Sequence, residues 1–72
     1  MGNYLFQARD NETGILYTKH SHSPRGGYLA WREERYKGKP VPGTVVGSVI
    51  DVQNGHMVGM LSSGEFYLLK KI

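Results

Sequence analysis

The sequence contains no cysteine and no long hydrophobic run. Without cysteine the chain has neither a disulfide framework nor a thiolate zinc site. No apolar stretch approaches the ~18 residues that a membrane span requires, and the first residues lack the basic and apolar regions of a signal peptide. We therefore expect no membrane contact and a cytoplasmic location.

Glycine is the over-represented residue, since ten of the 72 positions carry it, roughly twice the usual share of ~7%. Glycine adopts the backbone conformations that tight turns and β-bulges require, so this excess favours strands over long helices. The length accommodates one hydrophobic core. We expect a single domain over residues 1–72 that is mainly β.

The N-terminal third has the pattern of a β-hairpin. Alternating residues 4–9 form a first strand, a polar turn over residues 10–14 ends in Gly14, and residues 15–20 return with β-branched and aromatic side chains. This segment predicts two antiparallel strands.

The C-terminal third predicts a three-strand meander. Residues 44–52 read as a strand, and Asn54-Gly55 is a strong hairpin signal that pairs Gln53 with His56 if the turn has two residues. That register places Val52 opposite Met57.

A second turn at Ser63-Gly64 pairs Leu61 with Phe66. One face of the meander then collects Val46, Ile50, Val52, Met57, Leu61, Phe66, Leu68 and Ile72. The other face collects Val45, Val49, Val58, Met60, Tyr67 and Leu69. Because both faces are apolar, the sheet must close into a small, partly open barrel, or have a helix on one face and a second copy of the chain on the other.

The middle of the chain joins the two β segments. Residues 21–27 are rich in Ser, Pro and Gly and predict a loop, residues 28–36 favour a short helix over a poorly alternating strand, and residues 37–43 form a proline-containing linker. The predicted fold class is β-rich α+β, with about five antiparallel strands and one short helix.

Positive charge is concentrated in residues 19–39, which carry a net charge of +4 in a chain whose total is +3. Cations neutralise phosphates and exposed rings stack on bases, so this segment predicts a nucleic-acid surface on a non-enzymatic binding module. The predicted contact residues are Lys19, Arg25, Tyr28, Trp31, Arg32, Arg35, Tyr36, Lys37 and Lys39.

Two alternatives accompany this interpretation. Tyr28 and Trp31 can instead pack in the core of so small a protein, with the cations forming a solvated face. The apolar meander can instead dock on a protein, which is typical of a small regulator or inhibitor of a larger complex, such as a phage or plasmid accessory protein, or of a homodimer. Burial of Trp31 in the free protein favours the protein–protein interaction module.

No pattern points to catalysis or a cofactor. The serines lie outside any nucleophile elbow, and a chain this short rarely encloses a pocket of ~300 Å³ or more. His20 and His22 would point to the same side of a strand, which makes them the candidate metal ligands, but we expect them to be strand-end histidines without a ligand role.

Overall fold

The computed structural model describes residues 3–69, which form one five-stranded antiparallel sheet with a helix against one face. The elements in chain order are β1 (Tyr4–Asp10), β2 (Leu16–Ser21), α1 (Gly26–Tyr36), β3 (Val45–Asp51), β4 (His56–Ser62) and β5 (Glu65–Leu68). The strand order is β2-β1-β3-β4-β5, so β1 joins the hairpin to the meander. The predicted fold class is confirmed: the sheet is not closed into a barrel, and α1 covers one of its faces.

Helix α1 begins two residues before the predicted start. Gly26 donates its backbone N–H to the Ser23 hydroxyl oxygen at 2.9 Å, which satisfies one donor of the first turn. Gly27 lies so close to β1 that a Cβ atom there would stand 2.8 Å from Cβ of Phe6. The helix ends at Tyr36, and the next residue, Lys37, adopts the left-handed conformation at φ 51° and caps the last turn through its N–H. No helix in the described range is long and apolar enough to cross a membrane.

The core lies between α1 and the helix-facing side of the sheet. Trp31 packs its ring 5.2 Å from Phe6 on β1, and Tyr28 stacks on Phe66 of β5 with centroids 4.5 Å apart. The helix thereby bridges both halves of the sheet. The buried apolar residues are Phe6, Ala8, Tyr28, Trp31, Val41, Val45, Val49, Val58 and Leu61.

The meander follows the predicted register in one hairpin and departs from it in the other. Leu61 pairs with Phe66 across β4 and β5, as the Ser63-Gly64 turn predicts. The prediction that Gln53 pairs with His56 is wrong, because His56 pairs with Asp51. The connection therefore has four residues, 52–55, rather than two.

The buried Asp51 side chain explains this longer turn. Its carboxylate accepts hydrogen bonds from the backbone N–H groups of Gln53 and Asn54, at 3.1 and 3.2 Å, and from the Asn54 side-chain amide at 2.7 Å. Asparagine and aspartate compete with ladder hydrogen bonds in this way. The Asx-type turn ends the strand at Asp51, before Gln53 can pair.

A β-bulge next to this turn makes part of the predicted face assignment wrong. Leu61 and Phe66 lie on the same side as Val49, and Met60 and Tyr67 lie on the same side as Ile50. The β3–β4 register shifts between Val49 and Ile50, since Val49 pairs with Gly59 whereas Ile50 pairs with Met57. Val58 is the extra residue, and it is fully buried on the helix-facing side. The helix-facing side of the meander thus carries Val45, Val49, Val58, Leu61 and Phe66, and the opposite side carries Val46, Ile50, Met57, Met60 and Tyr67. The predicted position of Ile72 lies outside the described residues.

Candidate binding surfaces

The side of the sheet opposite α1 is uncovered within residues 3–69, and we call it the open face. Its centre is a row across three strands, in which Leu5 pairs with Ile50 and Ile50 pairs with Met57. Met57 is 49% exposed and Tyr67, on β5, is 46% exposed. The apolar members of the open face are Leu5, Leu16, Val46, Ile50, Met57, Met60 and Tyr67.

Charge on the open face is sparse and balanced. Arg9 lies on β1 and Glu65 on β5, at the same level of the sheet, since Arg9 pairs with Val46 and Glu65 pairs with Ser62. The Tyr67 hydroxyl donates to the Glu65 carboxylate, and this hydrogen bond raises the pKa of Tyr67 above its ordinary value. An apolar surface without a charge excess suits a protein partner better than a polyanion.

Two of the predicted stacking residues belong to the core. Tyr28 is 5% exposed and Trp31 is 3% exposed. Their rings form the aromatic cluster with Phe6 and Phe66, so no base can stack on their faces without opening the core. Tyr36 is half-buried, with its ring 5.3 Å from that of Trp31.

The predicted cations lie in different environments. Lys19 lies 3.9 Å from the Glu34 carboxylate, which neutralises it locally. Arg25 sits at the start of the helix, 5.4 Å from the Phe66 ring centre. Arg32 is half-buried on α1.

Three cations remain exposed at the C-terminal end of α1 and in the linker that follows: Arg35, Lys37 and Lys39. Within residues 3–69 none of the three forms an ion pair. Cations near a helix C-terminus interact favourably with its dipole, so a purely structural role accounts for part of this cluster.

The histidines do not come together as a ligand set. His20 lies on the open face of β2, His22 follows that strand, and both are exposed. His56 starts β4 next to Asp51, on the helix-facing side. In the part of the chain that the structure describes, no three His, Asp or Glu side chains are placed to share a metal ion.

A cleft that the sequence does not reveal opens between the C-terminal half of α1 and the first hairpin. It measures about 260 Å³ and is lined by Tyr17, Trp31, Tyr36, Asp10, Glu34, Arg35, Ile15, Ala8 and Val45. The Tyr17 ring lies 6.4 Å from Trp31, and its hydroxyl donates to Glu34 Oε2 at 3.3 Å. Burial raises the pKa of Tyr17, and the neighbouring Glu34 carboxylate raises it further. Because these residues come from separate segments, no local spacing indicates the cleft.

Comparisons with models of protein families, with curated proteins and with solved structures found no match for this chain.

Proposed function

We propose that this protein is a small, non-enzymatic protein–protein interaction module whose contact surface is the open face. The observation that carries the proposal is a row of apolar side chains on an uncovered sheet, centred on Ile50 and Met57. Contiguous exposed apolar patches of a few hundred Å² mark interaction sites on soluble proteins. The burial of Trp31 and Tyr28 supports this choice over base stacking.

The occupant that fits this surface is a second copy of the chain. Two sheets packed face to face can be related by a two-fold axis parallel to the strands, between β3 and β4, which exchanges β3 with β4 and β1 with β5. Ile50 then lies over Met57 of the partner subunit. Arg9 lies over Glu65 of the partner subunit, so opposite charges meet at both ends of the contact.

The expected affinity is modest. A sheet of five short strands, spaced ~4.8 Å apart, offers less than the ~800 Å² per partner of a standard interface. Interfaces below that size are typical of weak or transient complexes. We expect a reversible dimer with a dissociation constant on the order of micromolar.

Sedimentation equilibrium of a dilution series tests the dimer directly. The variant Met57→Lys places a charge in the centre of the open face and should abolish the dimer. Leu29→Lys is the matched control, because Leu29 is 50% exposed on the helix and Met57 is 49% exposed on the sheet. A wild-type protein that stays monomeric at millimolar concentration, or equal dissociation of both variants, would refute the proposal.

A charge exchange tests the two-fold arrangement. Arg9→Glu and Glu65→Arg should each weaken the dimer by placing like charges together, and the double variant should restore it. A dimer that both single variants leave unchanged contradicts the arrangement of strands across the axis.

Nucleic-acid binding is the second candidate function, and the exposed cluster of Arg35, Lys37 and Lys39 favours it. Such binding would depend on phosphates rather than on stacking. Oligonucleotide affinity should then fall steeply with salt, and Arg35→Ala and Lys37→Ala should each reduce the salt slope by about 1. Arg9→Ala, on the open face, is the control. Absence of binding to single- and double-stranded oligonucleotides at low ionic strength excludes this candidate.

A further inference from the structure

The cleft beside α1 combines three aromatic rings with two carboxylates, and we call it the aromatic cleft. Trp31 lies between the other two rings, 6.4 Å from Tyr17 and 5.3 Å from Tyr36, and the planes are inclined by 48° and 77°. Trp31 is 3% exposed, whereas Tyr17 and Tyr36 are half-buried, so the two tyrosines supply most of the aromatic surface that the cleft offers to a ligand. Asp10 and Glu34 contribute the carboxylates.

We propose that the aromatic cleft binds an alkylammonium cation. Aromatic faces carry negative electrostatic potential and attract cations, most strongly where water is excluded, and cages of several rings recognise quaternary ammonium groups. Within the lining the two carboxylates outnumber the single cation, Arg35, so the lining itself carries a net charge of −1, which Lys19 beside Glu34 offsets from outside the lining.

The size of the cleft limits the ligand to a head group. Its volume of about 260 Å³ lies below the ~300–1,000 Å³ of pockets that enclose drug-sized molecules. Ile15, Ala8 and Val45 add apolar lining, which suits methyl groups on nitrogen better than a fully hydrated ammonium ion. A trimethylammonium group meets both requirements, whether it belongs to a free small molecule or to a methylated lysine of a protein.

Two cations of the protein compete with the ligand. The Lys19 ammonium lies 3.9 Å from Glu34 Oε2 and partly offsets the negative potential of that carboxylate, and Arg35 lines the cleft. Removing either charge should therefore strengthen ligand binding, a direction opposite to that expected for a loss of structure. The aromatic cleft and the open face lie on different sides of the sheet, so the success or failure of this proposal is independent of the dimer.

Titration of the wild-type protein with choline, monitored by Trp31 fluorescence, tests the proposal. Trp31 is the one tryptophan of the chain, so its emission reports on the cleft. The control ligand is 3,3-dimethylbutan-1-ol, a neutral isostere in which carbon replaces nitrogen. We expect saturable binding of choline and affinity for the neutral alcohol that is about tenfold lower. Absence of saturation, or equal affinity for both ligands, would overturn the proposal.

A peptide containing trimethyllysine forms a second arm of the titration. Tighter binding of the peptide than of choline identifies a protein-borne cation, and the reverse order identifies a free small molecule. Either order supports the cation site. Binding of the neutral alcohol as tight as that of choline would overturn it.

Adjacent glutamates on α1 provide a matched pair of variants. Glu34→Gln should lower choline affinity about two- to fivefold, as expected for the loss of a partly exposed charge interaction. Glu33→Gln, which removes the same charge outside the cleft, should leave the affinity unchanged. Arg35→Gln should raise it. Equal effects of the two glutamate variants, at unchanged thermal stability, would assign the signal to general electrostatics and refute the site.

Discussion

The contact between β1 and β3 at Gly47 supports a quantitative prediction about stability. Gly47 pairs with Ala8, and a Cβ atom at Gly47 would stand 2.4 Å from the backbone carbonyl oxygen of Gln7. Ordinary contacts between carbon and a carbonyl oxygen are ~3.3 Å or longer, so Gly47→Ala creates an overlap of about 1 Å. The Gln7 carbonyl belongs to a strand that is paired on both sides, so it cannot move alone.

Two opposing effects determine the size of the loss. Alanine in a strand interior is favoured over glycine by ~0.5–1 kcal/mol, because glycine loses more backbone entropy. Overpacking at a site that cannot relax costs about 1–3 kcal/mol. We expect Gly47→Ala to lower the free energy of unfolding by about 1–2 kcal/mol, out of roughly 4–11 kcal/mol for a domain of this size.

Thermal and urea denaturation measure this difference. At about 4–8 °C per kcal/mol, the melting temperature should fall by roughly 4–16 °C. Gly43→Ala is the control, because its nearest neighbour lies 3.9 Å from the added Cβ and its φ is not positive; it should be neutral or slightly stabilising. A Gly47→Ala variant as stable as the wild type would refute the close contact between β1 and β3.

Three further predictions concern the core, stability at acidic pH and the C-terminal end of α1. Leu61→Ala should cost about 2–5 kcal/mol in urea denaturation, because Leu61 is 1% exposed, whereas Leu29→Ala should change stability by less than ~0.5 kcal/mol. The Asn54 side-chain hydrogen bond lowers the pKa of Asp51 below its ordinary 3.8, so Asp51 stabilises the fold above that pH and loses this effect as pH falls through the folded-state pKa. The difference in free energy of unfolding between Asp51→Asn and the wild type should therefore shrink as the pH falls from about 5 to about 3. A difference that stays constant over this range would contradict the linkage. A left-handed backbone costs a non-glycine residue such as Lys37 about 1 kcal/mol, and Lys37→Gly should remove that cost and raise the melting temperature. An unchanged melting temperature would argue against strain at this cap.

Local patterns predicted most of the elements correctly. Alternation over residues 4–9 and 15–20 predicts the first hairpin, and the Ser63-Gly64 turn predicts the register of β4 with β5. These features depend on turn chemistry and on the two-residue period of a strand, which are encoded by neighbours in the chain. The Asn54-Gly55 turn was predicted with the wrong length because the Asp51 carboxylate captures the backbone donors that a two-residue turn would place in the ladder.

The candidate sites were less accessible to such reasoning. The alternation of aromatic and basic residues in residues 19–39 does not reveal that Tyr28 and Trp31 face the sheet, although the sequence leaves the burial of Trp31 open as an alternative. The aromatic cleft needs Tyr17 from the first hairpin next to Trp31 from the helix, and that contact arises only when α1 packs across the sheet.

The lack of cysteine by itself determined that this chain folds without disulfide bonds, and the excess of glycine favoured strands joined by tight turns. Those conclusions follow from covalent chemistry and from local backbone preferences, which do not depend on distant contacts. Tertiary structure decided which apolar side chains the helix covers, because the bulge at Val58 reverses the faces that the strand pattern would assign. It thereby also decided that Met60 lies with Met57 on the open face, whereas Leu61 lies with Val58 in the core.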